Sequence, residues 1–537
     1  QARNGLTTKV SRTVTIPGSC LEGRKPMGLH IKRVLLAAIT AATAGTLAPA
    51  PASASYGYYV GKNLTEDGSV LIGGTGEEVS SHWLEIVPAK DHPAGATISV
   101  GVTQDAAIPG ELIEIPQVPH TFKYMTMNYS DYMGFPAPLT NGGLNEHKVA
   151  IRDIWSNSRR ELVEMTKTPQ HGVQYSDAAR IALERATTAR EAAEIIGGLV
   201  DEHGWATYGG NSHMIADPDE GWVVLQFAGS QGLWVAERLG PDDVRVSYPG
   251  YIGDIPDNYL ESPDYMGSEN LISFAVEQGW YDPNSGEPFN VHEVYGEQGV
   301  PMRSGVKYFA IADIEQALQE KAPVTVEEFM RLVRDPRIAD EEAGYGQVVS
   351  LRRNVPVELT TVWITPTSSV TTPFIPWYFG ATDVPPEFGQ HRYLSKNAGS
   401  TFLDPDFQEQ EATVFAGRVF KRLLYYTCSR PEEFLPEVRA AMEGFERKAR
   451  EDNITVSKIA STLYESDKPD LAESYLNFYS QTKAMEGLRL GEALLMGIEA
   501  RTKWQYGIRR PEGSRMNSAG GETPNCLTGH DPDTAED

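Results

Sequence analysis

The sequence predicts an α+β fold, in which antiparallel sheets are covered by helices and are followed by a helical C-terminal region. Short runs of alternating apolar and polar residues, broken by Gly, Pro and Asp-Gly, are typical of antiparallel strands. Apolar residues at helical spacing recur between two groups of such strands and again over a long C-terminal stretch. Groups of strands that are separated by helices indicate stacked antiparallel sheets with helices outside.

The individual elements follow one another along the chain after residue 55. The first strands are predicted in YGYYVG, SVLIGG, HWLEIVPA, TISVGV and TFKYMTMNY, and GLNEHKVAIRDIW adds a turn and a strand. A single helix is predicted from Ser176 to His203, because a capping serine precedes apolar residues at helical spacing. Strands return in NSHMIAD, GWVVLQFAG, GLWVAERL and DVRVSYPG. Residues 251–405 are mixed, with a short helix at VEEFMRLVRD, and the pattern is helical from about Gln408 to Arg501.

The first 54 residues have the composition of a leader. From Met27, MGLHIKRVLLAAITAATAGTLAPAPASA has a charged start, an apolar stretch and small residues, which is the pattern of a secretory signal peptide. We expect upstream sequence at 1–26, a signal peptide at 27–54 and, after its cleavage, a protein that is secreted or held at the exterior of the cell envelope. Beyond it we expect a sheet-containing domain at 55–405, a helical region at 406–505 and a disordered tail at 506–537.

Charge and composition exclude several classes of function. Residues 1–54 hold seven Lys or Arg and one acid, so residues 55–537 carry 40 bases, 72 acids and a net charge of −32. Such a surface repels phosphate backbones and anionic lipids, so neither nucleic acid nor stable membrane association is expected after leader cleavage. The 11 histidines and three cysteines have no metal-ligand spacing, and no metal is expected. Cys428 is interpreted as a small buried apolar side chain.

Two A-x-A cleavage patterns lie at the end of the leader, and cleavage after Ala54 would expose Ser55. The new terminus would carry both a hydroxyl and a free α-amine, whose ordinary pKa is about 8. A fair fraction of that amine is neutral at ordinary pH and can accept the hydroxyl proton, which activates the nucleophile without a histidine. His82 is an alternative base for Ser55, and a structural or substrate-wall role is the other interpretation of this histidine.

Three sequence segments carry a family resemblance. YGYYVGKNLTEDGSVLIGGTGEE, GGLNEHKVAI and GGNSHMIADPDEGWVV resemble the secernin and dipeptidase family of N-terminal nucleophile cysteine hydrolases, which is related to penicillin V acylases and bile salt hydrolases. The similarity extends over nearly all of residues 55–505. It implies a four-layer αββα sandwich at 55–405, no metal and no organic cofactor, and hydrolysis of dipeptides or similar small amides.

The resemblance also assigns candidate site residues. The family nucleophile, normally cysteine, falls on Ser55. Asn145 of GGLNEH matches an asparagine that helps to form an oxyanion hole in the related acylases, and a left-handed turn residue is the alternative. The family usually has an arginine and, three residues later, an aspartate after the DGS strand, where this chain has Gly74 and Glu77. Glu77 is a candidate carboxylate near the α-amine, and a solvated loop acid is the alternative.

Two further residues complete the candidate site. Arg303 of PMRSGVKYF is a candidate cation near the nucleophile, with a surface role as the alternative interpretation. Asn211 of GGNSH is a candidate polar residue of the same site, with a turn as its alternative.

Together these residues predict a secreted dipeptidase. Ser55 attacks the peptide carbonyl, its own amine serves as base and Asn145 stabilises the oxyanion. Small peptides are the expected partners, and self-association into a homo-oligomer is left open. One alternative is an N-acyl amide hydrolase of the penicillin V acylase type. The other is a catalytically silent extracellular binding protein, which the departures at positions 55, 74 and 77 favour.

Overall fold

The computed structural model describes residues 55–76, 82–130, 134–247, 252–297, 311–335, 339, 343–391 and 413–507, with the backbone alone for 311–313. The candidates Glu77 and Arg303 lie outside the described residues, as do the predicted leader and nearly all of the predicted tail.

Strands dominate the first two thirds of the described chain. Their bounds are β1 Tyr56–Val60, β2 Val70–Gly76, β3 His82–Val87, β4 Lys90–Asp91, β5 Thr97–Val100, β6 Ile113–Pro116, β7 His120–Thr121, β8 Tyr124–Tyr129, β9 Leu139–Asn145, β10 Ala150–Trp155, β11 Gly210–Ala216, β12 Gly221–Phe227, β13 Trp234–Leu239, β14 Val244–Ser247, β15 Asp254–Ile255, β16 Tyr265–Gly267, β17 Phe289–Asn290, β18 Tyr345–Leu351, β19 Thr361–Thr365 and β20 Ile375–Tyr378.

Helices lie between the strand groups and at the C-terminal end. Their bounds are α1 Arg160–Glu164, α2 Tyr175–Arg185, α3 Ala189–His203, α4 Leu271–Glu277, α5 Val291–Tyr295, α6 Ile311–Lys321, α7 Val326–Val333, α8 Ala416–Ser429, α9 Pro431–Glu465 and α10 Pro469–Tyr506.

Two large sheets form the body of the described structure. One has six strands in the order β14-β1-β2-β18-β19-β20, and the other has eight in the order β16-β13-β12-β11-β10-β9-β8-β3. Neighbouring strands in both sheets are antiparallel. Successive side chains of each strand therefore point to opposite faces of its sheet, as the alternating pattern predicts.

Apolar side chains fill the space between the two sheets and cover both outer faces. Tyr59 and Ile72 of the six-stranded sheet pack with Ile154 and Met214 of the eight-stranded sheet in one core cluster. A second cluster joins the other face of the eight-stranded sheet to α2 and α3. A third joins the other face of the six-stranded sheet to α6 and α7. The structure confirms an α+β fold of antiparallel sheets with helices outside.

The single helix predicted from Ser176 to His203 is wrong, because the segment is two helices. Ala186 has an extended backbone after α2. Thr188, also extended, caps α3 by accepting a hydrogen bond from the Glu191 N–H at 3.1 Å. Threonine is a preferred N-cap residue, and its hydroxyl satisfies an N–H that has no partner within the helix. The apolar periodicity continues across this break, which is why it does not reveal the break.

The C-terminal helices pack on the sheets through a buried ion pair. Arg334, which follows α7, binds both carboxylate oxygens of Glu446 on α9, and both side chains are 2% exposed. The Arg334 Nε also donates to the Ser369 carbonyl at 2.8 Å, and the Phe374 N–H donates to Glu446 at 2.7 Å. A buried charge pair needs such additional hydrogen bonds to offset desolvation. The pair therefore ties α9 to the sheet body.

Two further properties of the described chain bear on its environment. Cys428 of α8 is disulfide-bonded. This corrects the expectation that Cys428 is merely a small buried side chain. Across the described ranges, none of the helices combines the length and apolar character that crossing a bilayer requires.

Candidate active site

Ser55 lies directly before the first strand, at the gap between the two sheets. The residue is 5% exposed. Because side chains alternate along a strand, Ser55 shares a face with Gly57 and Tyr59. Tyr59 packs in the core between the sheets, and a Cβ built on Gly57 would lie only 2.6 Å from the Ile154 Cδ1. The Ser55 side chain therefore faces the eight-stranded sheet.

Contacts across the gap define two ends of the eight-stranded sheet. The Gly57 position lies against Ile154 and Met214, whereas Tyr59 lies against Gly221, which pairs with Ala216. Passing from Gly57 to Tyr59 thus corresponds to passing from Met214 to Ala216. We call the end of the sheet around residues 211–213 the Ser55 end, and the end beyond Ala216 the Lys62 end, where Lys62 binds Asp219 at 2.9 Å.

A buried polar cluster occupies the gap at the Ser55 end. Arg152, fully buried on β10, donates from Nη2 to the Thr75 carbonyl at 2.6 Å and from Nη1 to the Asn141 carbonyl at 3.3 Å. Thr75 is the register partner of Tyr56, the residue that follows Ser55. The guanidinium also lies 4.6 Å from the centre of the Tyr345 ring. Arg152 therefore brings a fixed positive charge to the strand pair that carries Ser55.

His82 is part of the same cluster. Its Nε2 lies 2.9 Å from the Asn141 Oδ1, and its ring stacks on Tyr345 with centroids 5.0 Å apart. Tyr345 donates in turn to the Asn141 carbonyl at 3.4 Å. These contacts favour the structural interpretation of His82, because its ring orders the Asn141 side chain.

The structure does not bring Asn145 to Ser55. Asn145 follows Leu144, which aligns through Ala150 with Ala216, so Asn145 lies at the Lys62 end. Four residues of strand separate the two levels, roughly 13 Å along the sheet. Its Nδ2 donates to the carbonyls of Leu183 and Ala186 at 3.0 and 2.8 Å. Its Oδ1 accepts the N–H groups of His147 and Val149 at 3.0 Å each.

Those four bonds use the whole hydrogen-bonding capacity of the Asn145 amide. The role of Asn145 as an oxyanion donor is therefore corrected to a structural one, in which the side chain closes the β9–β10 turn and holds the end of α2.

Asn211, by contrast, lies at the level of the Ser55 end but on the helix side of the sheet, because Ser212 beside it pairs with Ile154, which faces the gap. Asn211 is the second residue of β11, it is 2% exposed and it pairs with Trp155 on β10. Its Nδ2 donates to the Ser212 carbonyl at 2.9 Å. Among the described residues, the Asn211 Oδ1 has no hydrogen-bond partner. A buried amide that is only partly satisfied is uncommon in a folded protein and points to a ligand or a water at that position.

His213 lies two residues from Asn211 and also faces the helices. Its Nε2 is 3.0 Å from the Tyr175 carbonyl oxygen, and its Nδ1 is 3.2 Å from the Gln226 side-chain amide. Complete burial lowers the pKa of His213 to about 4, because desolvation disfavours the charged imidazolium. The imidazole is therefore neutral at ordinary pH and belongs to the helix-side core.

Over the described ranges, no three His, Cys, Asp or Glu side chains are grouped so that they could hold a metal ion. Arg152 and Asn141 were not predicted as site residues from the sequence. Arg152 had a signal, because a charged residue interrupts the apolar strand VAIRDIW. Asn141 had none, because its neighbours in the gap come from β3, β10 and β18, which are distant in sequence.

Comparisons with known proteins match the sheet-forming part of the chain. The model of peptidase family C69 matches residues 57–304. A "Probable dipeptidase B" of Streptococcus pyogenes serotype M3 is 29% identical over 248 residues, which are 45% of this chain and 45% of that protein. A "Probable dipeptidase" of Salmonella dublin is 30% identical over 142 residues, which are 26% of this chain and 31% of that protein.

The chain thus spans less than half of the length of these curated relatives. The matched segment begins two residues after Ser55 and contains His82, Asn141, Arg152 and Asn211, but not Tyr345. Residues 57–304 therefore match peptidase family C69, and this match, with the dipeptidase relatives, supports a peptidase.

Proposed function

We propose that this chain is a secreted dipeptidase of the N-terminal nucleophile type, with Ser55 as its nucleophile. The observation that carries the proposal is the position of Ser55. Ser55 directly precedes β1 and lies two residues before the start of the family match. Its side chain faces a gap lined by buried polar residues. The relatives named as dipeptidases support the substrate class, and the packing of α2 and α3, two sheets, and α6 and α7 supports a four-layer αββα sandwich.

The proposed reaction has two steps. The neutral α-amine of Ser55 accepts the hydroxyl proton as Oγ attacks the carbonyl carbon of the dipeptide. The tetrahedral intermediate expels the second amino acid, whose nitrogen takes the proton back from the α-ammonium, and an ester on Ser55 remains. A water then attacks the ester, giving its proton to the amine, and the first amino acid leaves while Ser55 recovers its proton.

The oxyanion donor is left unassigned. Asn211 is buried at the level of the Ser55 end, but its side chain shares the helix face of β11 with His213 and does not face the gap. An oxyanion donor would contribute about 3 kcal/mol of transition-state stabilisation in comparable sites. Glu77 and Arg303 stay predictions for the same site.

Secretion is proposed on two grounds. The segment 27–54 has the pattern of a cleavable signal peptide. Cys428 is disulfide-bonded, and structural disulfides persist mainly in oxidising compartments.

The test begins with the N-terminal sequence and intact mass of the secreted protein. A mature chain that starts at any residue other than Ser55 contradicts the mechanism. If the start is correct, Ser55→Ala is expected to lower dipeptide hydrolysis by at least about 1,000-fold, because the nucleophile is lost. Ser55→Cys is the matched control, since a thiol is the stronger nucleophile and is expected to retain or raise the rate.

The alternatives give different results in the same assay. Hydrolysis of N-acyl amides in preference to dipeptides would support the acylase type. An inactive wild type with activity gained in Ser55→Cys would support the silent binding protein, which the serine at position 55 and the absence of a side chain at Gly74 favour.

A further inference from the structure

We propose that Arg152 is the cation of the Ser55 site and acts as a positioning residue for the nucleophile. This inference rests on the proposed function, because it concerns the amine and hydroxyl of an exposed Ser55. It assigns a role to a residue on the facing sheet, outside both the leader and the β1–β2 strand pair.

The strand geometry directs Arg152 and Ser55 into the same gap. Ile154 contacts the Gly57 position, so the inward face of β10 also includes Arg152, two residues earlier. Ser55 lies two residues before Gly57 on the inward face of its own strand. Because β10 runs opposite to β1, Arg152 starts one step nearer the Lys62 end than Ile154, and its long side chain extends back toward Ser55. The guanidinium reaches the strand pair at the Thr75 carbonyl, opposite Tyr56. The positive charge is thus anchored one register pair from the residue that carries the nucleophile.

The strand beside β1 has no room for a cation of its own. The end of β2 reads Gly73, Gly74, Thr75 and Gly76. A Cβ built on Gly74 would lie 1.9 Å from the Tyr56 carbonyl oxygen, and the Gly74 φ of +152° lies in a region that L side chains rarely adopt. A long side chain at this position would displace β1. On the β2 side of β1, a cation for Ser55 must therefore come from across the gap, where Arg152 lies.

The charge of Arg152 has a defined effect on the chemistry. Arginine stays protonated at any pH that a protein tolerates, and burial weakens solvent screening of its field. A fixed positive charge disfavours the α-ammonium and favours the neutral amine, which is the form that can accept a proton. It also stabilises negative charge on Oγ and on the carbonyl oxygen. Arg152 therefore raises the fraction of enzyme whose base is ready at neutral pH.

Other charged and titratable groups face the same region. His82 on β3 and Tyr345 on β18 belong to the cluster that contains Arg152. Arg245 on β14, the other neighbour of β1, is paired with Glu237 at 2.8 Å and lies 4.0 Å from Glu315, so its charge is balanced. Glu77 lies just beyond β2 and outside the described residues, and a carboxylate there would act against Arg152. The experiment therefore includes a Glu77→Gln background.

The test titrates the α-amine directly on mature protein that begins at Ser55. Competitive acetylation of the amine is read by mass spectrometry at a series of pH values. In Glu77→Gln, the amine midpoint is expected below the ordinary range of about 7.7–8.0. Adding Arg152→Gln is expected to raise that midpoint by roughly one to two pH units, whereas Arg152→Lys, which keeps the charge, retains most of the lowering. Arg245→Gln, the matched control, leaves the midpoint unchanged.

Acetylation of the amine does not depend on catalysis, so the role of Arg152 and the proposed dipeptidase function can be contradicted independently. A midpoint that is the same with Arg152 and with Gln at this position overturns the inference even if the enzyme hydrolyses dipeptides. If Arg152→Gln does not fold, a Glu77→Gln midpoint at or above about 8 overturns it instead. A shifted midpoint in a protein without dipeptidase activity supports the inference and contradicts the proposed function. In an active enzyme, the acid limb of the kcat/KM profile is expected to move with the midpoint.

Discussion

The two ends of the eight-stranded sheet use buried polar residues differently. At the Lys62 end, Asn145 is saturated by four main-chain groups, and Asp217 accepts the Ala189, Asp219 and Glu220 N–H groups at 2.8, 2.8 and 3.2 Å. At the Ser55 end, Arg152 and Asn141 bridge strands from both sheets, and Asn211, on the helix side, has an oxygen without a partner in the described structure. Polar side chains close turns at one end and line a gap at the other.

The two ends illustrate how to judge a buried polar residue in a sheet protein. A side chain whose donors and acceptors are all bound by nearby main chain has no capacity left for a substrate. A buried polar side chain that faces a gap between the sheets is therefore the better candidate for chemistry. Two predictions test the assignments made at these ends.

The largest expected effect is on stability, in Asn145→Ala. The substitution leaves the Leu183 and Ala186 carbonyls and the His147 and Val149 N–H groups without their partner. We expect the free energy of unfolding to fall by roughly 4 kcal/mol, since each unsatisfied buried group costs about 1–3 kcal/mol and relaxation recovers part of it. Urea denaturation measures this loss. A small loss of stability with a large loss of kcat would indicate a catalytic role for Asn145 and contradict the difference drawn between the two ends of the sheet.

The smallest effect concerns His213, which lies at the Ser55 end but faces the helices. Its pKa of about 4 in the folded protein lies below the ordinary 6.5 of an unfolded chain. The unfolded chain thus binds more protons between these values, and stability falls as the pH decreases through this window. From pH 7 to pH 5 the loss attributable to His213 is about 2 kcal/mol.

Urea denaturation at the two pH values measures that loss, and His213→Gln should reduce the pH dependence by the same amount. An unchanged pH dependence in His213→Gln would mean that the imidazole is not held neutral in the helix-side core.

Local patterns in the sequence predicted much of this fold. Alternating residues identified most strands of the eight-stranded sheet and three strands of the six-stranded sheet, and helical spacing identified the C-terminal helices, because those patterns reflect burial on one face of each element. The strands β18, β19 and β20 lie in residues 251–405, which were described only as mixed, and were not predicted. The break between α2 and α3 was not predicted, since it depends on a cap at Thr188 rather than on periodicity. Ser55 could also be predicted from the sequence, because the leader pattern ends just before it and the first strand begins just after it.

The rest of the site depends on long-range geometry. Asn145 and Asn211 are both asparagines in glycine-rich strand segments, and only the register of β9, β10 and β11 shows that neither side chain faces Ser55 across the gap. Arg152 enters the site from the facing sheet, so its role depends on how the two sheets cross. No pattern of neighbouring residues encodes that crossing.

The ion pair between Arg334 and Glu446 limits how such a chain can be shortened. A version that ended before α9 would keep Arg334 but lose its carboxylate, leaving a buried cation without a counter-charge. Removing one partner of a buried pair typically costs 3–5 kcal/mol, whereas replacing both with apolar residues is often tolerated. A minimal sheet domain would therefore have to be redesigned at position 334 before its C-terminal helices could be cut away, and any natural gain or loss of these helices faces the same constraint.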